Sequence, residues 1–186
     1  MARTTLREQG ARVQVILQQN QVAALINSLA EQIAADLPDP ASLALIGIRS
    51  RGETLAQRLQ AKLQAQYGAP VDCGTLDITL YRDDLNQMGY QQPTVRATEI
   101  DFNIDNRYIV LVDDVLSTGR SVRAALNALA DLGRGRAIKL AVLIDRGHRE
   151  LPISADYIGQ VLDAPQDQRV QVWLSEVDNR EEVTLE

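Results

Sequence analysis

Cysteine is nearly absent from this chain. Cys73 is the single one, which excludes an intrachain disulfide and any metal site built on clustered cysteines. Long apolar runs are missing too: none approaches the ~20 residues that cross a bilayer, and the opening MARTTLREQGARVQV has no apolar segment of the secretory kind. These absences lead us to expect a reducing, cytoplasmic setting and no membrane partner. Lysine is scarce. Lys62 and Lys139 are the only two, so 17 of the 19 cations are arginine. Arginine suits bidentate phosphate recognition, although a GC-leaning genome also supplies it. The net charge of −6 argues against a global nucleic-acid field and leaves local patches open. Repeats, low-complexity tracts and a recognisable linker are all lacking, so residues 1–186 are expected to form a single domain around one core.

What is present centres on one stretch, YIVLVDDVLSTGRSVRAALNALADL, residues 108–132. A β-branched apolar run ends on Asp113 and Asp114; Val115 and Leu116 follow, then Ser117-Thr118-Gly119-Arg120-Ser121, then helical periodicity. The pattern reads as strand, loop, helix. In an open parallel sheet that junction lies at a strand's carboxyl end, where ligands bind. Successive backbone amides opening a helix form an anion site, and Gly119 lets the backbone come close. Two carboxylates just upstream repel an anion, and suit vicinal hydroxyls or a metal bound alongside. A phosphate joined to a diol describes a ribose 5-phosphate. The GxxxxGK[ST] spacing of the Walker loop is absent. A lone TG dipeptide would be an ordinary helix cap; strand, double acid, STGRS and helix in one register point to the phosphate site.

Taken in order, the chain first shows a helix after Asn20, with Val22, Leu25, Ile26, Leu29, Ile33 and Leu37 at helical spacing, stopped by Pro38 and Pro40. Residues 42–48 read as a strand buried on both faces. They run into Arg49-Ser50-Arg51-Gly52 and a second helix carrying Leu55, Leu59 and Leu63. Alone, RSRG would be a solvated turn; beside the acidic motif it is the natural pyrophosphate partner. Residues 71–80 read as a strand. The irregular stretch from Tyr81 to about Asn106, which holds Arg82, Asp83, Asp84, Gly89, Pro93 and Arg96, is either a mobile lid or a plain hairpin excursion. Gly133 and Gly135 are expected to end the central helix. Residues 137–144 form another buried strand, ending in Asp145-Arg146-Gly147-His148-Arg149-Glu150. Short strands are expected at 157–159 and 169–174, and an exposed acidic tail from Glu176.

The string VLVDDVLSTGRS resembles the phosphoribosyl-pyrophosphate signature of type I phosphoribosyltransferases. LDITLYRDDL (76–85), GIRSRG (47–52), VLVDDVLSTGRSVRAALNAL (110–129) and LAVLIDRGHRELPISADYIG (140–159) resemble the PyrR family in order and spacing. The resemblance implies an α/β fold, a mainly parallel sheet flanked by helices with a small hood and a mobile loop. It implies a uracil phosphoribosyltransferase that makes UMP and pyrophosphate from uracil and phosphoribosyl pyrophosphate (PRPP). It also implies attenuation of pyrimidine-operon transcription by UMP-dependent binding of the leader mRNA, and a homo-oligomer, dimer or higher. Alternatives are an RNA-binding regulator first of all, or a phosphoribosyltransferase for another base.

Carried over by resemblance, Asp113 and Asp114 hold the ribose hydroxyls as the catalytic pair. Ser117, Thr118, Gly119, Arg120 and Ser121 cradle the 5-phosphate, with Val115 and Leu116 in the same PRPP-binding stretch; Arg49 and Ser50 meet the pyrophosphate with Arg51 close by, Arg82 sits at the base of the loop, and Arg146 lies on the nucleobase side. Mg²⁺ is implied, bound mainly through PRPP, with no protein ligand assigned. His148 is expected to be structural. Ser117 stands where the family commonly has tyrosine and purine-using relatives an acid, which leans towards a pyrimidine. One feature departs from the better-known relatives, whose first helix is basic: residues 21–37 contain no Lys or Arg. A basic surface would have to come from Arg123, Arg134, Arg136, Lys139 or Arg149, so the leader is expected to bind weakly or not at all.

Overall fold

The computed structural model describes residues 13–83 and 95–186; Asp84, Gly89 and Pro93 of the expected loop lie outside these residues. In chain order the elements are β1 (Gln14–Gln18), α1 (Gln19–Asp36), β2 (Leu43–Ile48), α2 (Arg51–Tyr67), β3 (Asp72–Leu76), β4 (Tyr108–Leu116), α3 (Arg120–Ala130), β5 (Ala137–Asp145), β6 (Tyr157–Val161), β7 (Val170–Trp173), the single-turn α4 (Ser175–Asp178) and β8 (Glu182–Leu185). Five strands form a parallel sheet in the order β3-β2-β4-β5-β6.

Strand periodicity sorts the core into two layers. Leu43, Leu45, Val110, Val112, Ala141 and Leu143 face α1 and α2. Ile46, Ile48, Ile109, Leu111, Leu140 and Val142 face α3. Every residue of β2 is buried, which is why its sequence reads as a continuous apolar run rather than an alternation. Leu55, Leu59 and Leu63 of α2 are at most 1% exposed, each contributing about 1.5–3 kcal/mol.

The topology positions the site. From β2 the chain crosses by way of α2 to β3 on one side; from β4 it crosses by way of α3 to β5 on the other. β2 and β4 are neighbours whose helices depart to opposite faces, so a crevice opens between their carboxyl ends. Two glycines permit the close approach there. A Cβ on Gly52 would lie 2.4 Å from the Val112 carbonyl oxygen, and one on Gly47 2.4 Å from that of Gly52. Gly52 is therefore demanded by the packing of α2 against β4, and Gly47 by the close approach of the start of α2 to β2.

Several boundaries differ from the sequence-based expectation. The first helix starts at Gln19, and Gln18 forms a reciprocal capping box with Gln21; Asn20 lies inside the helix. The strand expected over 71–80 stops at Leu76, because the Asp77 carboxylate captures the Thr79 amide at 3.0 Å and its hydroxyl at 2.6 Å, starting a tight turn. The central helix ends at Ala130, before either glycine. The tail from Glu176 is not a solvated strand of acids. It supplies α4 and β8, the middle strand of a small antiparallel sheet in the order β1-β8-β7, with Val183 and Thr184 wholly buried. β8 is four residues long and covered on both edges, so pairing from both ends of the chain, rather than its own pattern, makes it a strand. This is the hood. Among the described residues no helix is long and apolar enough to cross a membrane.

Candidate active site

A cleft of about 420 Å³ lies between the sheet's carboxyl ends and the hood. It brings together Arg49 and Ser50 from the loop after β2, Arg51 at the start of α2, Arg82, the acidic pair and Val115 from the end of β4, Ser117 from the loop that follows, Ser121 from the first turn of α3, and Arg146 from the loop after β5. A pocket of about 60 Å³ opens inside the β4–α3 loop, lined by Asp113, Leu116, Thr118, Gly119 and Ser121 among others. Gly119 has φ +91° at the helix's amino end, a conformation that strains any side chain. The pocket is thus a backbone cradle at a helix N-terminus, about the size of a phosphate.

Alternation along β4 separates the two acids. Asp113 follows Ile109 and Leu111 towards α3 and the cradle; Asp114 follows Val110 and Val112 towards α2 and the basic loop. Each is held locally: Asp113 Oδ1 accepts the Asp114 amide at 2.9 Å, and Asp114 Oδ1 the Val115 amide at 3.0 Å. Burial pushes the Asp113 carboxyl well above its ordinary value, and the neighbouring Asp114 charge adds to this. Burial also raises Asp114, opposed by its hydrogen bonds and by the Arg51 charge. Two acids held at raised affinity for protons are poised to accept hydrogen bonds from hydroxyls, or a cation, when a ligand arrives.

The remaining candidates divide. The Leu116 side chain packs in the core, and its carbonyl accepts the Arg146 amide at 3.0 Å. The Thr118 carbonyl accepts the amides of Glu150 and Leu151. Arg120 does not line that pocket: its amide donates to the Thr118 hydroxyl at 3.3 Å, and its half-exposed side chain pairs outward with Asp83 and Glu150. Arg146 Nη2 donates to the Pro165 carbonyl at 3.0 Å, and its buried Nε has no partner. His148 Nε2 lies 2.7 Å from the Ala164 carbonyl; a carbonyl only accepts, so this nitrogen carries the proton and the ring ties two loops together.

Sequence reasoning missed the hood's contribution: Arg169, Val170 and Gln171 line the same cleft. Arg169 precedes and Val170 and Gln171 begin β7, the sheet's edge strand, whose place at the cleft carries no local signal. It also took Arg149 for a surface cation. In the structure Arg149 is a strut behind the β4–α3 loop, donating to the carbonyls of Ser117 and Ile153 at 2.9 Å and to Asp145 at 2.5 Å. Lys139 pairs with Asp36 at 2.7 Å, Arg123 pairs with Asp83 at 3.1 Å, and Arg136 lies over the Tyr108 ring.

An anion cradle, an acid pair and a basic loop around one crevice of a parallel sheet define a phosphoribosyltransferase. The phosphoribosyl transferase domain family matches residues 13–179. Solved structures agree in fold: a hypoxanthine-guanine phosphoribosyltransferase from Bacillus anthracis (TM-score 0.69, 16% identity, 92% of this chain and 96% of that one) and a hypoxanthine phosphoribosyltransferase from Trypanosoma cruzi (TM-score 0.70, 20% identity, 92% and 94%). The chain is 47% identical to the Bifunctional protein PyrR of Pelotomaculum thermopropionicum, over 91% of this chain and 93% of that protein. It is 49% identical to that of Deinococcus deserti, over 91% and 92%. The chain belongs to the PyrR family.

Proposed function

We propose that the cleft binds PRPP and transfers its phosphoribosyl group to uracil, releasing pyrophosphate and forming UMP, the chain 1–186 acting as one such unit. The observation that carries this is the placement of the ~60 Å³ backbone cradle and the Asp113–Asp114 pair on one side of the cleft, with the basic Arg49–Arg51 loop facing them.

The cradle holds the 5-phosphate and the acids hold the two ribose hydroxyls, which fixes the sugar with its C1–O bond towards the basic loop. As that bond stretches and the pyrophosphate leaves with the electron pair, positive charge grows on the ring. The acids then act as fixed counter-charges. Uracil N1 attacks from the opposite face, forming the N–C1 bond, and its proton passes to water or to the released pyrophosphate. Arg146, with its unpartnered Nε, and the edge strand β7 lie on the base side; an edge strand offers main-chain donors and acceptors of the kind an imide needs. The uncharged Ser117 supports a pyrimidine.

Among the described residues no group of three or more His, Cys, Asp or Glu is placed to hold a metal ion. Of the carboxylates that line the cleft, Asp77 is taken up by Thr79 and the Arg96 amide, which leaves the acid pair; Mg²⁺ bound mainly through PRPP and water would have Asp113 and Asp114 as the protein groups beside it. Mg²⁺ so bound offsets the charge of the leaving pyrophosphate.

The same pocket, filled by UMP, is the sensor in our reading of the second activity, regulation of a pyrimidine operon through its leader mRNA. The test of the first is incubation with PRPP, Mg²⁺ and, separately, uracil, orotate, hypoxanthine and adenine, followed by chromatography. UMP formation is expected; turnover of a purine with none of uracil would overturn the assignment.

A further inference from the structure

Arg51 opens α2 and lines the cleft, yet two of its nitrogens are already occupied. Nε and Nη2 donate to the two oxygens of Asp178, at 3.1 and 2.9 Å, across 127 residues of sequence. Asp178 belongs to α4 in the hood, and its side chain is only 10% exposed. Its Oδ2 also accepts the Leu174 amide at 2.9 Å. The Arg51 guanidinium lies 5.2 Å from the centroid of the Trp173 ring, over which Arg180 also lies, and Trp173 Nε1 is tied to the Thr184 hydroxyl at 3.0 Å. The guanidinium plane is therefore set by the hood from two directions.

Arg49, its companion in the loop, is held differently. It meets Glu99 at 3.1 Å and Glu53 at 3.7 Å, and Glu99 is 62% exposed. The Arg49 side chain is 15% exposed, but its acid partner is largely solvated, and such a single contact contributes little and gives way to a multiply charged anion. A bidentate pair in partial burial, whose acid also caps a backbone amide, does not. Arg49 can swing to an incoming pyrophosphate, whereas Arg51 must meet it from a fixed position.

We propose that Asp178 is a positioning residue for the pyrophosphate half of the substrate: it fixes Arg51 so that Nη1, the one nitrogen it leaves unengaged, is offered to the leaving group. The inference rests on the phosphoribosyltransferase reading of the cleft. The hood thereby completes the basic loop, and a loop–hood link spans the crevice before substrate enters. The Arg51 charge also opposes the burial that raises Asp114, so the link extends to the diol side.

Trp173 is the only tryptophan, and its emission reports on this contact. PRPP with Mg²⁺, and pyrophosphate alone, are titrated against wild-type, Asp178→Asn and Asp178→Glu protein by calorimetry and fluorescence. Asp178→Asn is expected to weaken binding of both ligands roughly tenfold, the worth of one charge-assisted hydrogen bond. Asp178→Glu restores most of it. In steady state the KM for PRPP rises in Asp178→Asn while kcat changes less than about threefold, because the contact is made before and during reaction alike. Where Asp178→Asn does not fold, Arg51→Lys carries the same test: lysine keeps the ion pair and has no second face, so the same weakening is expected. Wild-type protein that binds neither ligand overturns the phosphoribosyltransferase reading. Tight wild-type binding left unchanged in Asp178→Asn, or in Arg51→Lys, overturns this inference alone.

Discussion

The guanidinium of Arg149 donates to the carbonyl of Ser117 at 2.9 Å, so the β4–α3 loop is held from behind by the segment that follows β5. The same side chain satisfies the Ile153 and Gly147 carbonyls and pairs with Asp145. Replacing it leaves a carboxylate and three carbonyls to find new partners. We expect Arg149→Met to lower stability by about 2–4 kcal/mol and to raise the KM for PRPP. Denaturant unfolding and steady-state kinetics check this; unchanged values in both would show that the strut is dispensable.

The acid pair separates activity from stability. Asp113→Asn and Asp114→Asn are each expected to lower kcat/KM by roughly tenfold to a thousandfold, about 1.4–4 kcal/mol of transition-state stabilisation. Asp113→Asn should also fold more stably near neutral pH. Its carboxyl is raised by burial, so its contribution is most favourable below the ordinary 3.8, where it is protonated in both states, and is lost as pH rises through the raised value. The melting-temperature advantage of Asp113→Asn over wild type should therefore be larger at about pH 8 than at about pH 4. An advantage of opposite sign, or activity near wild type in both variants, would remove the assigned role.

The hood's second attachment has the reverse pH sign. Arg58 grips Glu176 at 2.6 Å and Glu181 at 2.8 Å, and its hydrogen bond pulls the Glu176 carboxyl down to about 2. A lowered carboxyl contributes stability above its ordinary 4.5, and that contribution is lost as pH falls towards about 2. Arg58→Met should lose less stability than wild type over that interval, which thermal melts at stepped pH measure. Parallel pH dependence in the two proteins would count against the attachment.

Leader RNA is expected to bind poorly. The exposed positions of α1 are Gln19, Asn20, Gln21, Ala23, Ala24, Asn27, Glu31, Ala35 and Asp36, without a cation. Among the alternative cations Arg123, Lys139 and Arg149 are engaged in ion pairs. Titration against the leader of its own pyrimidine operon, with and without UMP and at two salt concentrations, should give micromolar or weaker affinity with a shallow salt slope. Nanomolar, UMP-enhanced binding at physiological salt would show that the basic surface is built elsewhere.

The sequence by itself determined the two strand–loop–helix units, because β2 and β4 are buried on both faces and so read as unbroken apolar runs ending in polar loops. It determined the Gly119 loop and the acid pair as neighbours as well, since their residues are contiguous and one register of strand and helix presents them. Tertiary structure decided what depends on contacts between distant segments. The hood's middle strand, Glu182–Leu185, is specified by β1 and β7 pairing on either side of it. Arg149 became a strut because Asp145 and three carbonyls surround it. Arg51 became fixed because Asp178, which reads as one more acid of the tail, is folded back onto it. A charge's partner is set by where the chain returns, and local sequence carries periodicity but not the point of return.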